Sequence, residues 1–150
     1  MTNKKIIETI QTYVSVSQIR QPEEKRKFWD QDEIQPILVP EEATTPLAGW
    51  AEIEAYWAQS KSIIATLNST SSNHRVRTIN PELAVTTYSM HWVAAMNEKT
   101  RYNGRTLAAD VRVTALLRLR QGEWRFFHLM EGPVDLMTMA QQYASYDKPE

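Results

Sequence analysis

The chain has 150 residues, 42% of them apolar and 23% charged, a size and mix that fit a single domain, 1–150, able to bury its own core. Seventeen basic residues against eighteen acidic ones give a formal net charge of −1, which speaks against a partner held by charge alone, nucleic acid foremost. There is no cysteine, so disulfides and thiolate metal sites are excluded.

In Met1 to Arg20 the apolar residues are interrupted by Glu8, Gln11 and Ser15, with no small-residue cleavage site. This segment is not read as a signal peptide, and no run is long enough for a membrane helix. A cytoplasmic protein without membrane or nucleic-acid partners is the expectation. Ile6, Ile7, Ile10, Tyr13 and Val14 recur at helical spacing, after Thr2 or Asn3 as a cap. Gln21-Pro22 breaks this helix, and Pro22 suits the first turn of a second, short one anchored by Phe28 and Trp29. From Asp30 to Gly49 the chain is irregular, with Pro36, Pro40 and Pro46 around a brief strand at Ile37-Leu38-Val39. The acidic group Asp30, Asp32 and Glu33 reads as solvated turn chemistry.

A third helix is predicted from Gly49-Trp50, its buried side running through Trp50, Ile53, Tyr56 or Trp57, Ser60, Ile64 and Leu67. Then the period changes. Asn68 to Asn73 reads as a polar turn, Arg75 to Ile79 as a strand, and Leu83 to Met96 as a long strand rich in β-branched and aromatic residues. Asn103-Gly104 and Gln121-Gly122 are turn signals between the strands Arg105 to Arg120 and Trp124 to Glu131. Gly132-Pro133 ends the last strand, and Leu136, Met139 or Ala140, and Tyr143 suggest a short terminal helix. Helices first and an antiparallel meander afterwards make an α+β pattern, a curved sheet wrapped over helices around a cavity.

The four glycines are too scattered for a dinucleotide or phosphate loop, and His74, His91 and His128 have no metal-ligand spacing. No metal and no cofactor are expected. Tyr88, Met90 and Trp92 share one face of their strand, with His91 on the other. Aromatic walls of this kind, with Trp57, suit a flat apolar ligand.

Gly49-Trp50-Ala51-Glu52-Ile53-Glu54-Ala55-Tyr56-Trp57 resembles the helix opening of SnoaL-like proteins. Asp110-Val111-Arg112-Val113-Thr114, followed by Gly122-Glu123-Trp124-Arg125-Phe126-Phe127-His128, resembles their paired C-terminal strands. The resemblance to this superfamily, which includes nuclear transport factor 2 and ketosteroid isomerase, implies a cone-shaped α+β barrel. N-terminal helices would pack on a curved antiparallel sheet, with a small-molecule pocket between them and a homodimer as the usual assembly. It implies no single activity. Two readings follow from different classes. One is a cofactor-independent isomerase, cyclase or lyase acting on a small apolar or polycyclic substrate. The other is a non-catalytic ligand-binding or assembly module.

Along Arg105 to Leu119 apolar residues occupy the odd positions and Asp110, Arg112, Thr114 and Arg118 the even ones. This separates two faces without saying which one lines the pocket. Resemblance to the association domain of calcium/calmodulin-dependent kinase implies that Arg112 and Glu131 face the cavity, as a ligand clamp or acid/base unit, with Asp110 and Thr114 beside them. Ile10-Gln11-Thr12-Tyr13-Val14 resembles the stretch that carries the oxyanion tyrosine of ketosteroid isomerase, which implies that role for Tyr13. The same comparison puts Gln35 where that enzyme has its aspartate base, with Glu33 as a substitute. Ketosteroid isomerisation is therefore not expected.

Overall fold

A computed structural model describes residues 1–18, 21–134, 137, 140 and 141. Helix α1 (Thr2–Ser17) buries Ile6, Ile10, Tyr13 and Val14 of the predicted stripe and leaves Ile7 half-buried. Helix α2 (Pro22–Arg26) is one turn long and starts on its proline. Helix α3 (Trp50–Ile63) begins after Gly49, whose φ of 89° favours a residue without a Cβ, and buries Ile53 and Trp57.

Six strands form one curved sheet in the order β2-β1-β6-β5-β4-β3. They are β1 (Ile37–Val39), β2 (Leu47–Ala48), β3 (Ile64–Asn80), β4 (Leu83–Met96), β5 (Thr106–Arg120) and β6 (Glu123–Pro133). The sheet is mixed rather than wholly antiparallel, because β1 runs parallel to β6, with Ile37 opposite His128 and Val39 opposite Met130. A parallel neighbour fits a strand that enters the sheet from the helical layer rather than through a hairpin. The hairpin tips have the predicted chemistry. Asn103 and Gly104 have φ of 48° and 72°, and Gln121 and Gly122 have 51° and 81°.

The boundary after α3 differs from the expectation. The helix stops at Ile63 and the chain passes straight into β3, so Ile64 and Leu67 are strand residues and Asn68 to Asn73 is not a turn. Ile63 and Ile64 are β-branched, and Ile64 pairs with Met96 of β4 at the start of a ladder that reaches Asn80. β3 is an edge strand, which is why its side chains are so polar. The polar run does contain a β-bulge, where the register slips between Ser72 and Arg75 and Asn73 adopts a φ of 53°. The terminal helix expected around Leu136 to Tyr143 falls mostly on positions outside the described residues.

The core lies between α1, α3 and the concave face of the sheet, and Ile6, Ile10, Trp29, Ile53, Leu117 and Phe126 are fully buried there. Residues 28–30 are stitched to β6: the Phe126 N–H donates to the Phe28 carbonyl (2.9 Å) and the Asp30 N–H to the Phe126 carbonyl (2.8 Å). This carries Asp30 into the interior, 2% exposed. There its carboxylate accepts from Arg118 (2.9 Å) and Arg120 (3.0 Å), and Arg118 also holds Glu33 (3.0 Å). Asp30 and Glu33 are thus not free turn carboxylates, as the sequence suggested, but members of an ion-pair network built on the buried Asp30. Among the described residues no helix is long and apolar enough to cross a membrane.

Candidate functional site

Strand register decides which residues face the cavity. The odd positions of β5, Val111, Val113, Ala115 and Leu117, are buried against the helices, so the even positions point to the convex side. Tyr88 of β4, Val113 of β5 and Glu131 of β6 stand in one cross-strand row, and all three face inward. Tyr88 and Glu131 open onto a cavity of about 580 Å³ between the sheet, α1 and α3.

Tyr13, Trp57, Tyr88, Met90, Trp92 and Glu131 all line this cavity. Arg112, Asp110 and Thr114 do not. Arg112 is exposed on the convex face, where it donates to the Pro133 carbonyl (3.3 Å). Asp110 is exposed on the same face and accepts from His91 Nδ1 (2.8 Å). Thr114, the next even position, has the same parity. The Arg112–Glu131 clamp is therefore not formed: the inward face belongs to the apolar positions, and two neighbours on one strand cannot both point there. Gln35 and Glu33 are also absent from the lining, Glu33 being held by Arg118.

In place of the arginine, Glu131 meets two other carboxylates. Glu41 and Glu42 follow β1 in the loop between Pro40 and Pro46, and one oxygen of each lies within 4.8 Å of the others and of Glu131. Each is tethered by an aromatic side chain. The Trp92 indole N–H donates to Glu41 Oε1 (2.7 Å), and the Tyr56 hydroxyl donates to Glu42. Glu41 Oε2 is buried and has no hydrogen-bond partner among the described residues. Sequence reasoning missed Glu41, Glu42 and the polar role of Tyr56. The available signal was an adjacent acidic pair directly after a buried strand, held between prolines.

Crowding and burial set the electrostatics. Burial pushes Glu131 up to about 8, with the charges of Glu42 and Glu41 adding to the rise and Lys25 opposing it. Burial likewise pushes Glu41 up to about 7, against the hydrogen bond from Trp92. The two carboxyls titrate as a coupled pair, and both are raised towards neutrality. Burial raises Tyr13, Tyr56 and Tyr88 well above the ordinary phenol range, so they stay neutral donors. Tyr13 Oη accepts from the Trp29 indole N–H (3.4 Å), which leaves its own proton to donate. The arrangement offers a proton acceptor, a proton donor and neutral hydroxyls at one end of an apolar, aromatic cavity. The three carboxylate oxygens also have a spacing that could hold a divalent cation.

A larger open cleft of about 1230 Å³ lies between α2 and the β5–β6 turn. Its walls include the ion pairs Arg26–Glu54 and Arg120–Asp30, and among the described residues no buried side-chain atom without a hydrogen-bond partner belongs to its lining.

No protein-family model matches the sequence, and neither does any curated protein. Solved structures do match in three dimensions. A protein with a cystatin-like fold from Caulobacter vibrioides shares 22% identity over 95% of this chain and 96% of its own, with a TM-score of 0.69. A nuclear transport factor 2-like superfamily protein from Salmonella enterica serovar Typhimurium shares 16% over 89% and 92%, at 0.73. A ketosteroid isomerase-like protein from Erwinia carotovora atroseptica shares 11% over 88% and 95%, at 0.70. The chain has the cone-shaped α+β fold of the nuclear transport factor 2-like proteins.

Proposed function

We propose that the chain is a cofactor-independent acid–base enzyme of the isomerase, cyclase or lyase kind, acting on a small apolar or polycyclic substrate. The observation that carries this reading is the meeting of Glu41, Glu42 and Glu131 in the cavity, with the Tyr56 hydroxyl donating to Glu42 and Tyr13 close enough to feel the charge of Glu131. Proton transfer from carbon needs a base whose affinity for protons lies near the working pH, beside donors that stabilise the charge left behind. Glu41, with one oxygen lacking a hydrogen-bond partner, suits the base. Glu131, protonated more often than not at neutral pH, suits the acid, with Tyr13 as the neutral donor. The likeness to a ketosteroid isomerase-like protein supports the fold of such a site and not a particular substrate.

The test is deuterium exchange at the acidic CH₂ of 2-tetralone, a bicyclic ketone small enough for the cavity, followed by mass spectrometry. Exchange well above the buffer rate, falling roughly a hundredfold in Glu41→Gln, is the expected result. Binding of the ketone without any exchange above buffer would favour the non-catalytic module instead.

A further inference from the structure

The large side chain of Trp92 stands on the cavity face of β4, opposite Ser69 of β3 and Ala109 of β5. Both neighbours are small, which leaves room on that face for an indole. From there its N–H reaches the loop after β1, 51 residues away in the sequence, and donates to Glu41 Oε1 (2.7 Å). The other oxygen, Glu41 Oε2, is buried and has no hydrogen-bond partner among the described residues. The torsion that turns a carboxyl plane is soft in a free glutamate. One anchored oxygen therefore fixes where the other presents its lone pairs.

We infer that Trp92 is a positioning residue for the proton transfer proposed above: by holding Oε1 it fixes the Glu41 carboxylate and leaves Oε2 as the oxygen that takes the proton. The inference rests on that reading of the site, and in this role Trp92 acts through Glu41 without touching a reacting atom. Other charges surround Glu41. Glu42 lies beside it and Glu131 meets it from β6, while Lys25 of α2 opposes the rise of Glu131. The Tyr56 hydroxyl donates to Glu42, and burial keeps Tyr56, Tyr13 and Tyr88 neutral. Arg101 lines the same cavity from the turn after β4. A donor stabilises the charged form of a carboxyl, so the indole favours ionised Glu41 against the effects of burial and of the Glu42 charge. Without it the base should stay protonated at pH values where the wild type is already ionised.

Trp92→Phe keeps an aromatic wall and removes the N–H, and 2-tetralone exchange across pH reads the consequence. The acid limb of the profile should move up by about one pH unit, the scale of one hydrogen bond to a charged group. On the plateau kcat should fall about tenfold, while KM for the ketone changes less than about twofold. A second measurement needs neither turnover nor this variant to fold. Among the indole signals of the five tryptophans in ¹H–¹⁵N spectra, one should shift as pH passes through neutrality, and Glu41→Gln should abolish that shift. If no indole signal follows pH, or if one still does so unchanged in Glu41→Gln, Trp92 does not hold the ionising carboxyl and the inference is wrong. If the wild type exchanges and Trp92→Phe alters KM alone, or nothing, Trp92 is only a wall, and the acid–base reading stands. If the wild type gives no exchange above buffer, that reading falls and the role of Trp92 falls with it.

Discussion

Asp30 and Glu131 are both carboxylates drawn away from water, and their neighbours push them in opposite directions. Burial opposes ionisation of Asp30, but the hydrogen bonds from Arg118 and Arg120 outweigh it and hold the group below the usual carboxylate range. Glu131 has two other carboxylates nearby and rises instead. The consequences for stability also have opposite sign. Asp30 contributes above its unfolded pKa, and that contribution is lost as pH falls through the folded one. Asp30→Asn should therefore cost about 2–3 kcal/mol at pH 7, below the value for a fully buried pair because Arg120 is half-exposed. The cost should shrink towards pH 3. Denaturant midpoints at the two pH values measure this, and equal midpoints for variant and wild type at pH 7 would contradict it.

At the scale of elements, what could be read locally came out and what depended on tertiary pairing did not. The stripe of α1, the extent of β4 and the two hairpin tips rest on spacing and turn residues, and all are found. The end of α3 was missed because Ile64 and Leu67 keep a helical spacing, while the ladder to β4, invisible in sequence, holds them as strand. The site divided in the same way. Alternation along β4 put Tyr88, Met90 and Trp92 on one face, but the inward face of β5 was taken from a resemblance, and Arg112 went to the wrong side. Glu41 and Glu42 reach the cavity only through the pairing of β1 with β6, which no local pattern encodes. One local feature is directly testable. Gly122 has a φ of 81° with nothing within 4 Å of where a Cβ would stand, so only backbone strain opposes a side chain there. Gly122→Ala should lower stability by about 1 kcal/mol, and a thermal melt showing no change would mean that the turn relaxes.

For the whole molecule, no helix of the described residues covers the convex face of the sheet, and Met130 of β6 is 46% exposed there. A homodimer covering this face remains our proposal; sedimentation at micromolar concentration should give a dimer of the 17.4 kDa chain, and a monomer alone would refute it. The central claim concerns the cavity, and Glu131→Gln tests it most directly when 2-tetralone exchange and melting temperature are measured on the same samples at pH 8. The folded pKa of Glu131 lies near 8, above its unfolded value, so the native state sheds its proton reluctantly and loses stability as pH rises towards 8. A glutamine removes that burden. An acid–base role for Glu131 requires an unchanged or higher melting temperature together with exchange lowered by roughly a hundredfold. A lower melting temperature with exchange unaffected would make Glu131 a structural residue and refute its part in catalysis.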